Sequence, residues 1–289
     1  MIDRPIWWSF GPVAEKYIRK GLLHYSAALE TGSGVGAFIW KGLAALQRGA
    51  EQEAVGFLGQ ARERAQDSQE QADALCARAL ALVRLGEVAT ALADLNEAAA
   101  VRPEDDKVYF GRGIVQGLLK QYSEAIADFD RALARNPALH EIFFQRGVAR
   151  HLLGDLRAAM EDYDRAIAGK TLNRARALAL RGLARAHLED YRGSLGDFNR
   201  ALQLAPDEAG FYYGRGVVRG LMRNHQGARG DFNRAIELDP ADAEAYNKRG
   251  ITCLILGDRQ SGLADLQKAA ELGYSEAFQM IDKIAADKD

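Results

Sequence analysis

The chain has 289 residues, of which 48% are hydrophobic and 27% charged, and its formal net charge at pH 7 is −2. This near-neutral balance excludes a strongly basic protein that attracts nucleic acid or anionic membranes through its overall charge. No stretch approaches the roughly 20 consecutive apolar residues that a membrane-spanning helix needs, so we expect no membrane insertion.

The N-terminal residues 1–34 are expected to cap the structure. An apolar run near residue 6 is interrupted by Gly11 and Pro12, which is atypical of a signal peptide and favours a cytoplasmic protein. We expect a helix from about Pro12 to Glu30, with the aromatic residues before it folded over the end of the molecule. The stretch 21–29 aligns with 125–133, which indicates the second helix of an incomplete repeat.

Three columns of residues recur along the rest of the chain with a period close to 34. The first is an Arg-Gly dipeptide, the second is an aspartate about fifteen residues later, and the third is a proline where one copy ends and the next begins. Columns at a fixed phase mean that one supersecondary unit is copied many times. The dipeptides begin at Arg112, Arg146, Arg181, Arg215 and Arg249, and the aspartates are Asp128, Asp162, Asp197, Asp231 and Asp265.

Each copy has the pattern of a helical hairpin. In the copy 106–139, apolar residues from Val108 to Leu119 follow one helical period, and those from Ala125 to Leu133 follow another. Small residues such as Gly113 would let the two helices approach closely, with Phe129 filling the space between them. We count seven copies: 35–71, 72–105, 106–139, 140–174, 175–208, 209–242 and 243–275.

After the last copy, residues 276–289 are expected to form a solvating helix and a charged tail. The helix is predicted to run from Ser275 to Ala286, with Ser275 capping its start.

The pattern of small residues, an aromatic residue and a terminal proline resembles the tetratricopeptide repeat. The chain as a whole resembles bacterial proteins that consist of this repeat alone. The resemblance covers nearly the whole chain. It implies an all-α fold, a right-handed α-solenoid (superhelix) of stacked antiparallel helix pairs in which the first helices line a concave groove.

The recurring arginines allow two interpretations, an internal ladder or a basic stripe that binds phosphate. By helical phase they lie on the side of the first helix that faces the second helix, opposite the recurring aspartates. Opposite charges matched in this way fit bidentate pairing, so we predict a structural ladder. Arg150, Arg185 and Arg219 follow one turn later on the same side.

Several apparent chemical motifs lack the structural context that their chemistry needs. The glycine-rich stretch 32–37 has the letters of a dinucleotide-binding motif, but a helix is expected before it instead of a strand. Gly169, Lys170 and Thr171 resemble the end of a phosphate-binding loop, but helices flank them on both sides. The five histidines and two cysteines show no metal-ligand spacing. We therefore expect no cofactor, no metal and no catalytic residues.

The predicted partner site is the groove formed by the exposed side of the first helices. By phase, this side presents mostly apolar residues, with Phe110, Phe144 and Tyr213 as the expected anchors for a partner. The whole predicted set is Phe110, Leu118, Phe144, His151, Leu152, His187, Tyr213, Leu221 and Asn247. A polar code for RNA bases and a basic clamp for acidic peptides are both missing from these positions.

The sequence favours a non-enzymatic scaffold that binds a protein or peptide segment, such as an amphipathic helix, in this groove. Two alternatives remain open. One is nucleic-acid or anionic-polymer binding through outer arginines of the second helices, although near-neutral charge makes nucleic acid unexpected. The other is a regulatory or substrate-recruiting part of an enzyme complex. The outer arginines of the first alternative are Arg131, Arg165, Arg200 and Arg234. A homo-oligomer is also compatible with the sequence.

Overall fold

The computed structural model describes residues 34–169, 171 and 173–286. The predicted cap before residue 34, residues 170 and 172 and the last three residues of the tail lie outside this part. The described residues fall into two compact units, one that ends before residue 173 and one that begins at Asn173.

The unit before residue 173 has eight described helices in four consecutive pairs. Each pair consists of a first helix and a second helix joined by a short turn. They are α1 (Val35–Gln47) with α2 (Glu51–Arg64), α3 (Ser68–Arg84) with α4 (Val88–Val101), α5 (Asp106–Leu118) with α6 (Tyr122–Arg135), and α7 (His140–Leu152) with α8 (Leu156–Ala168).

The unit from Asn173 has three such pairs and one further helix. They are α9 (Arg174–His187) with α10 (Tyr191–Leu204), α11 (Ala209–Leu221) with α12 (His225–Leu238), α13 (Ala243–Ile255) with α14 (Arg259–Glu271), and the final α15 (Ser275–Ala286). Within each unit, a second helix also packs against the first helix of the following pair. Among the described residues there is no strand, and the predicted all-α fold of stacked antiparallel helix pairs is confirmed.

The turn inside each pair has the same backbone conformation along the chain. One residue takes a positive φ where the chain must leave the first helix and reverse, and from Gly86 onward these residues recur at intervals of 34 or 35. Glycine adopts this conformation without steric cost, and four of the seven turns use it. The residues are Gly49, Gly86, Lys120, Gly154, Glu189, Arg223 and Gly257.

In four of the described pairs, from α5–α6 to α11–α12, the core is an interlock between a glycine of the first helix and an aromatic ring of the second. Phe129 and Tyr163 of the second helices are fully buried. A Cβ atom added at Gly113 would lie 2.7 Å from Cε1 of Phe129, and one at Gly147 would lie 2.8 Å from Cε1 of Tyr163. Because such distances are too short for carbon atoms, glycine is what lets the rings fit between the helices.

The final helix α15 packs on the last pair through one apolar stripe. Ala277 is buried in a cluster with Leu266 and Ala269 of α14, and Met280, Ile281 and Ile284 pack against that cluster. None of the described helices has the length and hydrophobicity needed to cross a lipid bilayer.

Gly196 and Gly230 lie in the middle of second helices and, like Gly56 and Gly59 of α2, have no packing reason in the described structure. A Cβ atom at Gly196 of α10 or at Gly230 of α12 would meet no atom within 4 Å. Alanine at each position should stabilise the protein by about 0.5–1 kcal/mol, because glycine in a helix loses more backbone entropy on folding.

The matched control for these changes is Gly216→Ala in α11, where the added Cβ would lie 2.8 Å from Cε1 of Phe232. In urea unfolding followed by circular dichroism, the midpoint should rise for Gly196→Ala and Gly230→Ala and fall for Gly216→Ala. Equal shifts for the three variants would contradict the interlock.

Candidate functional site

Buried ion pairs join the first and second helix in six of the seven described pairs, from α3 and α4 onward. In α5 and α6, Nε and Nη2 of Arg112 donate to the two carboxylate oxygens of Asp128 at 2.6 and 2.8 Å. Asp128 is 2% exposed, so its charge depends on this arginine for compensation. The same two-point contact joins Arg146 to Asp162, Arg181 to Asp197, Arg215 to Asp231, and Arg249 to Asp265.

A sixth member of this ladder was missed in the sequence. Arg78 of α3 donates from Nε and Nη2 to Asp94 of α4 at 2.6 and 2.5 Å. Arg78 is followed by Ala79 instead of glycine, so a search for the Arg-Gly dipeptide does not find it. Its position 34 residues before Arg112 is the signal that would have identified it.

The arginines also connect neighbouring pairs within each unit. Nη1 of Arg215 donates to Oδ1 of Asn199 at 2.8 Å, and Nη1 of Arg249 donates to Oδ1 of Asn233 at 3.0 Å. Both asparagines lie on the preceding second helix. Arg112 makes the equivalent contact with Asn96, and Arg146 makes it with Asp130. Each of these four arginines therefore holds two second helices at once.

An aromatic ring on the same helix supports each of these four guanidinium groups. Cζ of Arg112 lies 5.2 Å from the ring centre of Tyr109, and Cζ of Arg249 lies 5.3 Å from that of Tyr246. Phe143 and Tyr212 lie under Arg146 and Arg215 in the same way. This cation–π contact orients the planar fork of the arginine toward the carboxylate.

Three of the aspartates accept from two arginines each. Nη1 of Arg219 donates to Oδ2 of Asp231 at 2.8 Å, in addition to the contact from Arg215. Arg150 and Arg185 approach Asp162 and Asp197 in the same way. These second contacts come from the arginines that lie one turn further along the first helices.

The carboxylates raise the pKa of two ladder arginines. The hydrogen bond to Asp128 raises the pKa of Arg112, and the hydrogen bond to Asp265 raises the pKa of Arg249. Burial acts in the opposite direction at both residues but is the smaller effect. The described arrangement is a set of ion pairs that hold the first and second helices together.

The outer arginines of the second helices are exposed, and two of them lie close to acidic groups. Arg131 lies 3.6 Å from Asp128, and Arg234 pairs with Glu237 at 2.8 Å. Arg165 and Arg200 are exposed. Among the described residues, no group of three potential metal ligands is found.

Two of the three predicted anchor residues are not available to a partner, and the prediction was wrong for both. Phe144 is fully buried and its ring centre lies 6.4 Å from that of Tyr163. Tyr213 is buried, its ring centre lies 5.9 Å from that of Phe232, and its hydroxyl donates to Glu244. In both cases the aromatic ring of the second helix, Tyr163 or Phe232, packs against the predicted anchor.

The third anchor, Phe110, is half-buried against Phe129, with ring centres 6.1 Å apart.

The groove prediction was also wrong for two polar residues. His151 is buried with Nδ1 3.5 Å from the hydroxyl of Tyr163, and Asn247 is buried in α13.

The remaining predicted groove residues keep some exposure. Leu118 and Leu152, at the ends of α5 and α7, are half-buried. His187 and Leu221, at the ends of α9 and α11, are exposed. Leu221 is 50% exposed.

Further exposed apolar residues in the unit from Asn173 were missed. Ile255 ends α13 at the position equivalent to Leu221 and is 57% exposed, and Leu188 and Met222 follow the ends of α9 and α11. We call Leu188, Leu221, Met222 and Ile255 the first-helix row. The 34-residue spacing from Leu221 to Ile255 is the sequence signal that predicts their equivalence.

The comparisons with known proteins agree with this architecture. The sequence pattern of the tetratricopeptide repeat matches residues 106–139, the copy that forms α5 and α6. No curated protein matches the chain. Residues 106–139 are thus a tetratricopeptide repeat, and the helix pairs have the fold of tetratricopeptide-repeat proteins.

Solved structures of such proteins superpose on much of the chain at low sequence identity. A tetratricopeptide repeat protein from Parabacteroides merdae has a TM-score of 0.66 at 20% identity, covering 86% of this chain and 97% of its own. The Cut9–Hcn1 hetero-tetramer of APC/C gives a TM-score of 0.71 at 15% identity, covering 91% of this chain and 51% of that chain.

YrrB, described as a tetratricopeptide protein with an unusual peptide-binding site, gives a TM-score of 0.53 at 19% identity, covering 64% of this chain and 96% of its own. At these identities, the similarity defines the fold alone.

The loss of stability on removing the negative charge of a ladder aspartate should depend on how many arginines donate to that aspartate. Asp231 accepts from two arginines, whereas Asp265 accepts from Arg249 alone. Asp231→Asn should lower the free energy of unfolding by about 3 kcal/mol or more, because it leaves two part-buried guanidinium groups without their carboxylate.

The matched change Asp265→Asn should cost less, since one arginine loses its partner there. Urea unfolding of both variants, followed by circular dichroism, measures the difference. A loss at Asp265 as large as that at Asp231 would show that the second arginine adds nothing.

Proposed function

We propose that this protein is a scaffold that binds an apolar segment of a partner protein on the first-helix row. The observation that carries this proposal is the pair Leu221 and Ile255. They occupy equivalent positions at the ends of neighbouring first helices, and each exposes at least half of its side chain. Exposed apolar side chains that repeat at equivalent positions are typical of an interaction surface.

The spacing of the row suits a helical partner. The first helices α11 and α13 contact each other, and packed helix axes lie about 8–10 Å apart. Residues i and i+7 of an α-helix are about 10.5 Å apart along its axis. A partner helix that crosses α11 and α13 would therefore present one apolar side chain to each first helix, every two turns.

The chemistry of the row favours an apolar ligand over an acidic one. Its members are leucine, methionine and isoleucine, and the ladder arginines of the same helices donate to buried aspartates. No lysine or arginine belongs to the row itself. An amphipathic helix with an apolar stripe matches this surface better than a carboxylate-rich peptide.

The fold supports the proposal in general terms. YrrB has the same fold and a peptide-binding site, so helix pairs of this type can hold a peptide. The proposal for this chain differs from the sequence prediction in its contact residues, because Phe144 and Tyr213 are buried in the core. Leu221 is the predicted contact that the proposal keeps.

The test is affinity purification of the full-length protein from its native host, followed by mass spectrometry. Leu221→Asp combined with Ile255→Asp should remove the specific partner, because two charges would face an apolar stripe. The helix content and the melting temperature should stay close to those of the unchanged protein, since both side chains are largely in solvent.

The matched control is Leu204→Asp, because Leu204 is 53% exposed in the same unit but ends the second helix α10. This control should retain the partner. Recovery of the same partner with the double variant would contradict the proposal, and so would its loss with the control.

A further inference from the structure

Two of the turns beside the first-helix row carry a charged residue at a backbone position that favours glycine. The positive-φ residue is Glu189 after α9, Arg223 after α11 and Gly257 after α13. Glu189 directly follows Leu188 of the row, and Arg223 directly follows Met222. Their φ values are 63° and 60°, in the left-handed region where the Cβ atom of a residue other than glycine is sterically unfavourable.

The turn itself does not explain why these two residues are glutamate and arginine. Besides glycine, asparagine and aspartate tolerate the left-handed region best, because their short polar side chains form local hydrogen bonds. Glu189 and Arg223 have long side chains and are exposed. Neither side chain forms a hydrogen bond or an ion pair with another residue of the described part of the chain. Both charges are therefore accessible to a charged group on another molecule.

The other charged residues of these turns leave the pattern unchanged. After α9, Asp190 is offset by Arg192, and after α13, Asp258 is offset by Arg259. In the turn after α11, no acidic residue offsets Arg223. Along the row, the net charge of the turns is thus negative beside α9, positive beside α11 and zero beside α13.

We propose that Glu189 and Arg223 determine which helix binds to the first-helix row and in which register. The ligand is an amphipathic helix with an apolar stripe and two charges beside that stripe. A basic residue lies beside the apolar side chain that meets α9, and an acidic residue lies beside the one that meets α11. This inference rests on the proposed function of the row and adds the charge pattern of the partner.

The order of the two charges distinguishes one register from the next. The first helices α9, α11 and α13 contact one another in sequence, so a partner helix meets successive first helices about seven residues apart. A shift of the partner by one such step would place its basic residue against Arg223. Opposite charges across an interface fix the register, and like charges oppose the wrong one.

Two synthetic helical peptides of the same composition test this inference. Each has a stripe of three leucines that are seven residues apart. The matched peptide has lysine beside its first leucine and glutamate beside its second, and the exchanged peptide has these two residues exchanged. Because the second leucine is the central one, the exchanged peptide brings its lysine to Arg223 in either direction of binding.

Fluorescence anisotropy of the labelled peptides measures their affinity for the full-length protein. At low salt the matched peptide should bind about fivefold or more tightly than the exchanged peptide. The preference should shrink at high salt, since the charges of Glu189 and Arg223 are exposed. Equal affinity for the two peptides at low salt would overturn the inference.

Exchanging the two charges of the protein should reverse the preference. Glu189→Lys combined with Arg223→Glu keeps the net charge and should favour the exchanged peptide. Lys120→Glu is the matched control, because Lys120 has the same turn conformation, with a φ of 61°, but follows α5 in the other unit. This control should leave the preference as it is. A preference that the exchange does not reverse would contradict the inference, and so would one that the control removes.

The double variant Leu221→Asp with Ile255→Asp separates this inference from the proposed function. It should weaken the binding of both peptides about tenfold or more, because the leucine stripe loses its apolar contact. If the unchanged protein binds both peptides equally and the double variant releases both, the charge inference fails and the proposed function stands. If neither peptide binds the unchanged protein, the row does not bind an amphipathic helix and both fail.

Discussion

A carboxylate buried between two helices depends on the arginine that faces it, and six of the seven described helix pairs are built around that dependence. Asp128 and its equivalents are between 1% and 7% exposed, so an unpaired charge at these positions would be costly. The two-point contact from the arginine of the first helix compensates the charge and fixes the rotation of one helix against the other. At Arg112, Arg146, Arg215 and Arg249 the same guanidinium also reaches the preceding second helix.

On α11, the contacts that hold the helices together and the surface proposed to bind a partner lie on different parts of the helix. The arginine side of α11 holds the second helices together, and Gly216 next to Arg215 admits the ring of Phe232. Another part of the helix surface, toward its end, carries Leu221 and remains in solvent. The polar contacts and the aromatic interlock already secure the pair, so its packing does not depend on burying Leu221.

Much of the ladder could be predicted from the sequence, because residues at a constant period and phase must occupy equivalent places. The same logic would have found Arg78 and Asn199, had the search followed the period instead of the Arg-Gly dipeptide. The burial of Phe144 and Tyr213 could not be predicted in this way. Helical phase gives the direction of a side chain, but it does not give the reach of Tyr163 and Phe232 from the neighbouring helix.

The most direct test of the ladder is a double-mutant cycle on Arg215 and Asp231, with Arg215→Met, Asp231→Leu and the combination measured by urea unfolding. If the pair provides cohesion, each single change should destabilise the protein strongly, and the combined change should cost much less than their sum. The coupling should reach about 2 kcal/mol or more, since either charge alone is left part-buried without its main partner. Additive effects with a coupling below about 0.5 kcal/mol would contradict the central role of the ion pair.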